Sequence, residues 1–238
     1  MKSLIEIEQK PDELLKGFLT FDIKEDLENL NKLIIKEYTK NTFYKDLNMW
    51  LMNSKILYYE SIGYFTARLM YSLNSYAETN NAYFKSNNIK VYRGIKIPYS
   101  CLLQYERAKN KIIVFSSFTS TSLDKSIANN FSSRDERLSL YKANLKFSVI
   151  FHIKHKYKNN WISNGINIQK EAYYYSEKEI LFQPFCFYLV EDVKIDIKNY
   201  TGDIYLKTIG KTEILEEKIK LKKDIYYNEK EKIMKIRK

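Results

Sequence analysis

Apolar residues in the first third of the chain recur at helical spacing. Leu27, Leu30 and Ile34 fall three and four residues apart, and Tyr58, Ile62, Phe65, Leu69 and Leu73 repeat the interval, which predicts a helical layer over about 22–78. The polar run from Thr79 to Asn88 ends it. From Ile89 onward the period changes to two. Phe147, Val149, Phe151 and Ile153 alternate with Lys146, Ser148 and Lys154, the signature of a half-buried strand, and Ile89 to Arg93, Lys111 to Phe118, Glu179 to Cys186 and Asp203 to Ile209 are further strand candidates. Leu123 to Phe131 reads as a short helix. Helices followed by a run of strands, with no internal repeat, indicate an α+β domain and not alternating βαβ units. The expected division is one domain over 1–210, mainly β from 89, and a basic helix or tail over 211–238.

Composition narrows this picture without changing it. A chain of 238 residues that is 45% hydrophobic can bury a core, and its 6 glycines and 3 prolines make no flexible linker. No run of about 18 apolar residues occurs, so no membrane partner is expected. The start, Met1 to Glu8, turns acidic before a secretory signal could form, which suggests a cytoplasmic protein or one delivered into a host cytosol without a classical signal. Cys101 and Cys186 are too few for a disulfide scaffold, and a reducing compartment fits. The net charge of +11 would attract a polyanion or an acidic protein surface, or is no more than a solvated lysine-rich surface, and a monomer is expected.

Several chemistries drop out. Neither G-x-G-x-x-G nor a P-loop is present, and there is no G-x-S-x-G elbow. His152 and His155 form the one H-x-x-H, at the end of the alternating strand with no third ligand type near in sequence, so they read as structural or surface histidines and no metal is expected.

Three segments carry the remaining chemistry. Val91-Tyr92-Arg93-Gly94 is an apolar strand ending in an arginine whose guanidinium fork suits phosphate oxygens, next to a glycine that leaves it unobstructed. Phe118-Thr119-Ser120-Thr121-Ser122 runs into a hydroxyl cluster; a helix cap would use one of these hydroxyls, leaving others to orient a carboxylate or a sugar. Tyr173-Tyr174-Tyr175-Ser176-Glu177-Lys178-Glu179 is an aromatic turn opening into a strand. On that strand Glu177 and Glu179 would face one side, with Cβ atoms about 7 Å apart.

Arg93, the run Ser120-Thr121-Ser122 and Glu177-Lys178-Glu179 stand in the order and approximate spacing of the R-S-E class of mono-ADP-ribosyltransferases, which this chain resembles over roughly Phe43 to Ile209. Phe43-Tyr44-Lys45-Asp46-Leu47-Asn48 and the Tyr58 to Leu73 helix resemble the helical region of the arginine-specific, eukaryotic-type branch. Lys154 to Ala172 matches loosely, and the disulfides of extracellular members have no counterpart. The resemblance implies the mixed sheet core of that fold, NAD⁺ as co-substrate and a protein acceptor. It also implies roles: Glu179 for stabilising the oxocarbenium, Ser120 for holding Glu179, and Arg93 for the diphosphate or adjoining ribose. Gly94 would meet the nicotinamide amide, with Thr121 and Ser122 in the same NAD⁺-binding segment and Phe131 stacking on the ring or serving the core. Glu177 would select arginine, and Tyr173, Tyr174 and Tyr175 would form the target-recognition turn. Hydrolysis of NAD⁺, a non-arginine or nucleic-acid acceptor, and an inactive basic binding module on the same fold are the competing expectations.

Overall fold

The computed structural model describes residues 27–40, 44–52, 60–85, 90–133, 146–155 and 164–210. Contacts divide the chain into a unit spanning 1–208, which carries every element below, and a second over 209–238. The expected basic tail at 211–238, the residues before Leu27, Tyr58 and residues 156–163 of the loosely matching stretch lie outside the described residues.

Three helices come first, α1 (Leu27–Tyr38), α2 (Tyr44–Met52) and α3 (Glu60–Thr79). The apolar stripe explains their packing: Phe65, Leu69 and Leu73 of α3 are buried with Ile34, Ile35 and Tyr38 of α1 and with Leu47, Trp50 and Leu51 of α2. Leu27, at the exposed start of α1, stays outside this stripe. Phe118, Ile166, Ile168 and Leu181 join the same core and dock the helices on one end of the sheet.

Eight strands follow among the described residues: β1 (Lys90–Pro98), β2 (Ile112–Phe115), β3 (Thr119–Ser122), β4 (Lys146–Lys154), β5 (Ile166–Asn167), β6 (Glu179–Phe182), β7 (Cys186–Asp196) and β8 (Thr201–Thr208). Two helices interrupt them, α4 (Tyr99–Arg107) and α5 (Lys125–Ser133). The sheet is mixed, in the order β2-β7-β8-β4-β1-β3-β6-β5, with β4 and β8 its parallel pair. β1 runs beside β4 over nine residues but meets β3 at one register pair, Tyr92 with Ser122. The sheet is therefore two well-paired halves joined by a narrow seam, and a cleft can open there.

Three readings of the sequence are corrected here. The stretch Lys111 to Phe118 is not one strand: it breaks at Ser116-Ser117, and β2 lies at the sheet edge beside β7 while β3 sits between β1 and β6. Glu179 to Cys186 also breaks, at Pro184, which has no N–H for a ladder, and at Phe185, whose φ of 64° turns the chain. β4 is not half-buried, because Ile150 and His152 on its supposed polar face are buried too. Both histidines are interior and structural: His152 Nε2 lies 2.6 Å from Asp203 Oδ1 and His155 Nε2 lies 2.8 Å from the Phe84 carbonyl.

Candidate active site

The seam between the two half-sheets holds a cavity of about 470 Å³. Arg93 and Gly94 of β1, Ser120, Thr121 and Ser122 of β3, Phe131 of α5, Tyr174, Glu177 and Glu179 all line it. Tyr173 and Tyr175 do not; they are exposed on either side of Tyr174.

Strand register brings the hydroxyl run to the carboxylate. Ser122 pairs with Glu179, Thr121 with Ile180 and Ser120 with Leu181, so β3 lies alongside the start of β6. Each polar group has a defined partner. The Thr121 hydroxyl donates to the Ile180 carbonyl at 2.6 Å, locking the two strands. The Ser122 hydroxyl donates to the Glu177 carbonyl at 2.7 Å and accepts from the Asp124 N–H at 3.0 Å. The cap of α5 is Asp124, whose carboxylate accepts from the Ser126 N–H at 2.9 Å. Arg93 Nη1 donates to the Ser120 carbonyl at 2.9 Å, holding β1 to β3 across the seam.

Glycine at position 94 has a packing cause beyond access for its neighbour. A Cβ there would lie 1.7 Å from the Ala128 carbonyl oxygen, so α5 rests directly on the β1 backbone and presents Phe131 to the cavity.

Glu177 and Glu179 share the cavity, but not as strand neighbours. Tyr175–Glu177 is a single 3₁₀ turn, Lys178 is left-handed with φ 49°, and the strand begins at Glu179. The turn thus leaves Glu177 half-buried on the cavity while Glu179 is buried on β6. Burial pushes the Glu179 carboxyl up to about 7; the hydrogen bond from Ser120 opposes this, the charge of Glu177 adds to it, and Arg93 opposes it. The result is a carboxylate poised to ionise near neutrality and exposed to stabilisation by any cation that enters.

Sequence reasoning missed the helical wall. Tyr38, Thr39, Tyr44 and Lys45 reach the cavity from the end of α1 and the start of α2, and Lys96 reaches it from β1. Tyr38 accepts a hydrogen bond from Asn48 Nδ2 at 3.1 Å, and burial, then the charge of Glu179, holds its hydroxyl well above the ordinary tyrosine range. At sequence level Tyr38 has the spacing of a core residue, and no local pattern separates a core tyrosine from one whose hydroxyl faces a cleft.

The chain matches the family described as NAD:arginine ADP-ribosyltransferase over residues 16–213. No curated protein matches its sequence closely enough to add a nearer relative. Among solved structures it is similar to the ADP-ribosyltransferase Vis, a toxin from Vibrio splendidus, in complex with agmatine, at 18% identity and TM-score 0.58 over 87% of this chain and 86% of that one. It is similar also to HopU1 of Pseudomonas syringae pv. tomato, at 18% identity and TM-score 0.58 over 78% of each chain. An ADP-ribosyltransferase from Clostridium botulinum shares 14% identity and TM-score 0.54 over 86% of this chain and 95% of that one. These likenesses establish the fold. Among the described residues no helix is long and apolar enough to cross a membrane.

Proposed function

This chain belongs to the NAD:arginine ADP-ribosyltransferase family, a family of NAD⁺-dependent ADP-ribose transfer, and from that premise we propose that it is a mono-ADP-ribosyltransferase whose acceptor is a protein arginine. The observation that carries the acceptor is the pair of carboxylates on one cavity, Glu179 buried and Glu177 half-buried at the end of an aromatic turn.

NAD⁺ joins its nicotinamide to C1′ of a ribose through a bond to a cationic ring nitrogen. When that bond breaks, nicotinamide leaves with the electron pair and positive charge spreads over C1′ and the ring oxygen. Glu179 is the group that stabilises it, since an ionised carboxylate in a dry site interacts strongly with a developing cation. Ser120 holds that carboxylate through its hydroxyl. Arg93 binds the diphosphate or adjoining ribose, Gly94 offers its backbone to the nicotinamide amide, Thr121 and Ser122 fix the strand and turn around the nucleotide, and Phe131 stacks on the nicotinamide. Glu177 pairs as a carboxylate with the entering guanidinium, and as a guanidine nitrogen bonds to C1′ its proton passes to Glu177, leaving the substituted guanidinium with its single charge. Tyr173, Tyr174 and Tyr175 form the surface that the target meets. The net charge of +11 suits a target with an acidic surface. Agmatine is held by the similar Vis enzyme, and a small guanidine is accordingly the first acceptor to try here. The cell compartment consistent with these readings is a cytosol, the protein's own or a target cell's.

The deciding experiment supplies labelled NAD⁺ with agmatine, a cell lysate or RNA. Label on agmatine and on lysate protein is expected, released from protein by chemistry that cleaves ADP-ribosyl-arginine. Label on RNA, or free ADP-ribose as the sole product, would overturn the arginine reading.

Arg93 meets charge that NAD⁺ carries before and during reaction alike, so its contribution falls on binding. Arg93→Lys should raise KM for NAD⁺ more than it lowers kcat. A lower kcat at unchanged KM would contradict that role.

A further inference from the structure

We infer that Thr39 is a positioning residue for acceptor recognition: its buried hydroxyl fastens the aromatic turn to the end of α1 and thereby sets how well a guanidine is received. The inference rests on the reading above that this turn serves the acceptor.

The Tyr173 N–H donates to Thr39 Oγ1 at 2.8 Å, a contact between residues 134 apart in sequence. Thr39 is 8% exposed, so solvent does not compete freely for this bond. Its own hydroxyl hydrogen is committed to the Lys36 carbonyl at 2.9 Å. That second bond alone would be ordinary helix capping. It leaves the oxygen's lone pairs aimed outward, and the turn's backbone is what they meet.

From there the support reaches the acceptor side. The Tyr173 ring lies under Lys40 Nζ at 5.8 Å and packs edge-on against Tyr174, with ring centroids 4.9 Å apart. Tyr174 lines the cavity with Glu177, and its carbonyl accepts from the Glu177 N–H at 3.0 Å. The far end of the turn is held differently, by the Ser122 hydroxyl on the Glu177 carbonyl. Ser122 pairs with Glu179 itself, so loosening that end disturbs bond cleavage as well. Thr39 touches the other end, and loosening it should weigh on the acceptor step first.

The test compares wild type, Thr39→Val and Thr39→Ser for labelling of agmatine, for NAD⁺ hydrolysis without acceptor, and for exchange of the Tyr173 amide. Valine keeps the shape and removes the acceptor oxygen; serine restores it. The ratio of transfer to hydrolysis should fall about threefold to tenfold in the valine variant, in line with the loss of one such bond, with a raised KM for agmatine. It should recover in the serine variant, and the Tyr173 amide should exchange faster in the valine variant alone. An unchanged ratio in a folded valine variant, or a fallen ratio with the amide still protected, overturns the inference. Should the valine variant fail to fold, a Tyr173 amide that exchanges freely in wild type or in Thr39→Ser overturns it equally, and a protected one supports it. A wild type that cleaves NAD⁺ but labels no guanidine sinks the acceptor reading, and the clamp is then judged on the amide alone.

Discussion

Replacing Glu179 by Gln is expected to lower ADP-ribose transfer and NAD⁺ hydrolysis together by on the order of 10²–10³, the cost of removing a main electrostatic group from a water-poor site. The same change should make the protein more stable at alkaline pH. Burial raises the carboxyl from 4.5 to about 7, so between these values the folded protein holds a proton that the unfolded chain has released. Stability contributed by this group therefore falls as pH rises through that window, and the full penalty stands above about 7. The interval corresponds to roughly 3 kcal/mol, and a neutral amide of the same shape escapes it. Thermal melts at pH 5 and pH 8 should show Glu179→Gln gaining on wild type at the higher pH by several degrees. Wild-type kcat/KM for NAD⁺ should rise with pH to a plateau, with its midpoint near 7, because that profile reports the free enzyme. Rates within tenfold of wild type would remove Glu179 from the mechanism; a melting difference independent of pH would remove the buried charge from the explanation.

The elements that were legible in the sequence are those whose partners lie on one face. α3 shows its stripe because Phe65, Leu69 and Leu73 all turn toward α1 and α2. β4 shows its alternation, though the structure buries Ile150 and His152 as well, since burial of Ile150 and His152 is a property of the assembled fold. α4 left little trace: of Tyr99–Arg107 one residue, Leu102, is buried, and no side chain caps its start. The breaks at Ser116-Ser117 and at Pro184 were hidden within continuous apolar and β-branched runs, although Pro184 was itself the physical signal. The order Arg93, Ser120, Glu179 was readable because each stands in a short segment that the family resemblance covers, and the structure brings all three to one cavity. Tyr38 and Thr39 were not, because which side chain at a helix end faces a cleft depends on how the helix docks. Strand alternation does not account for Glu177, since a 3₁₀ turn and a left-handed Lys178 bring it to the cavity instead.

That turn shapes the last prediction. Glu177 lies outside the ladder that holds Glu179, half-buried on the 3₁₀ turn that lines the same cavity, and the proposed function gives it the acceptor and not the bond that is cleaved. Glu177→Gln keeps shape and hydrogen bonding but removes the negative charge that a guanidinium pairs with and the base that takes its proton. Transfer to agmatine should fall steeply, by about 10²-fold, the low end of what a positioned acid or base contributes. Hydrolysis of NAD⁺ should largely survive. It should even shift its pH dependence downward, because the charge of Glu177 is one of the influences that raise the Glu179 carboxyl. One set of assays with labelled NAD⁺, agmatine or water as acceptor, and a pH series reads all three effects. A parallel loss of both activities would make Glu177 a support of the catalytic centre in general, and undiminished agmatine labelling would mean that Glu177 does not serve the acceptor.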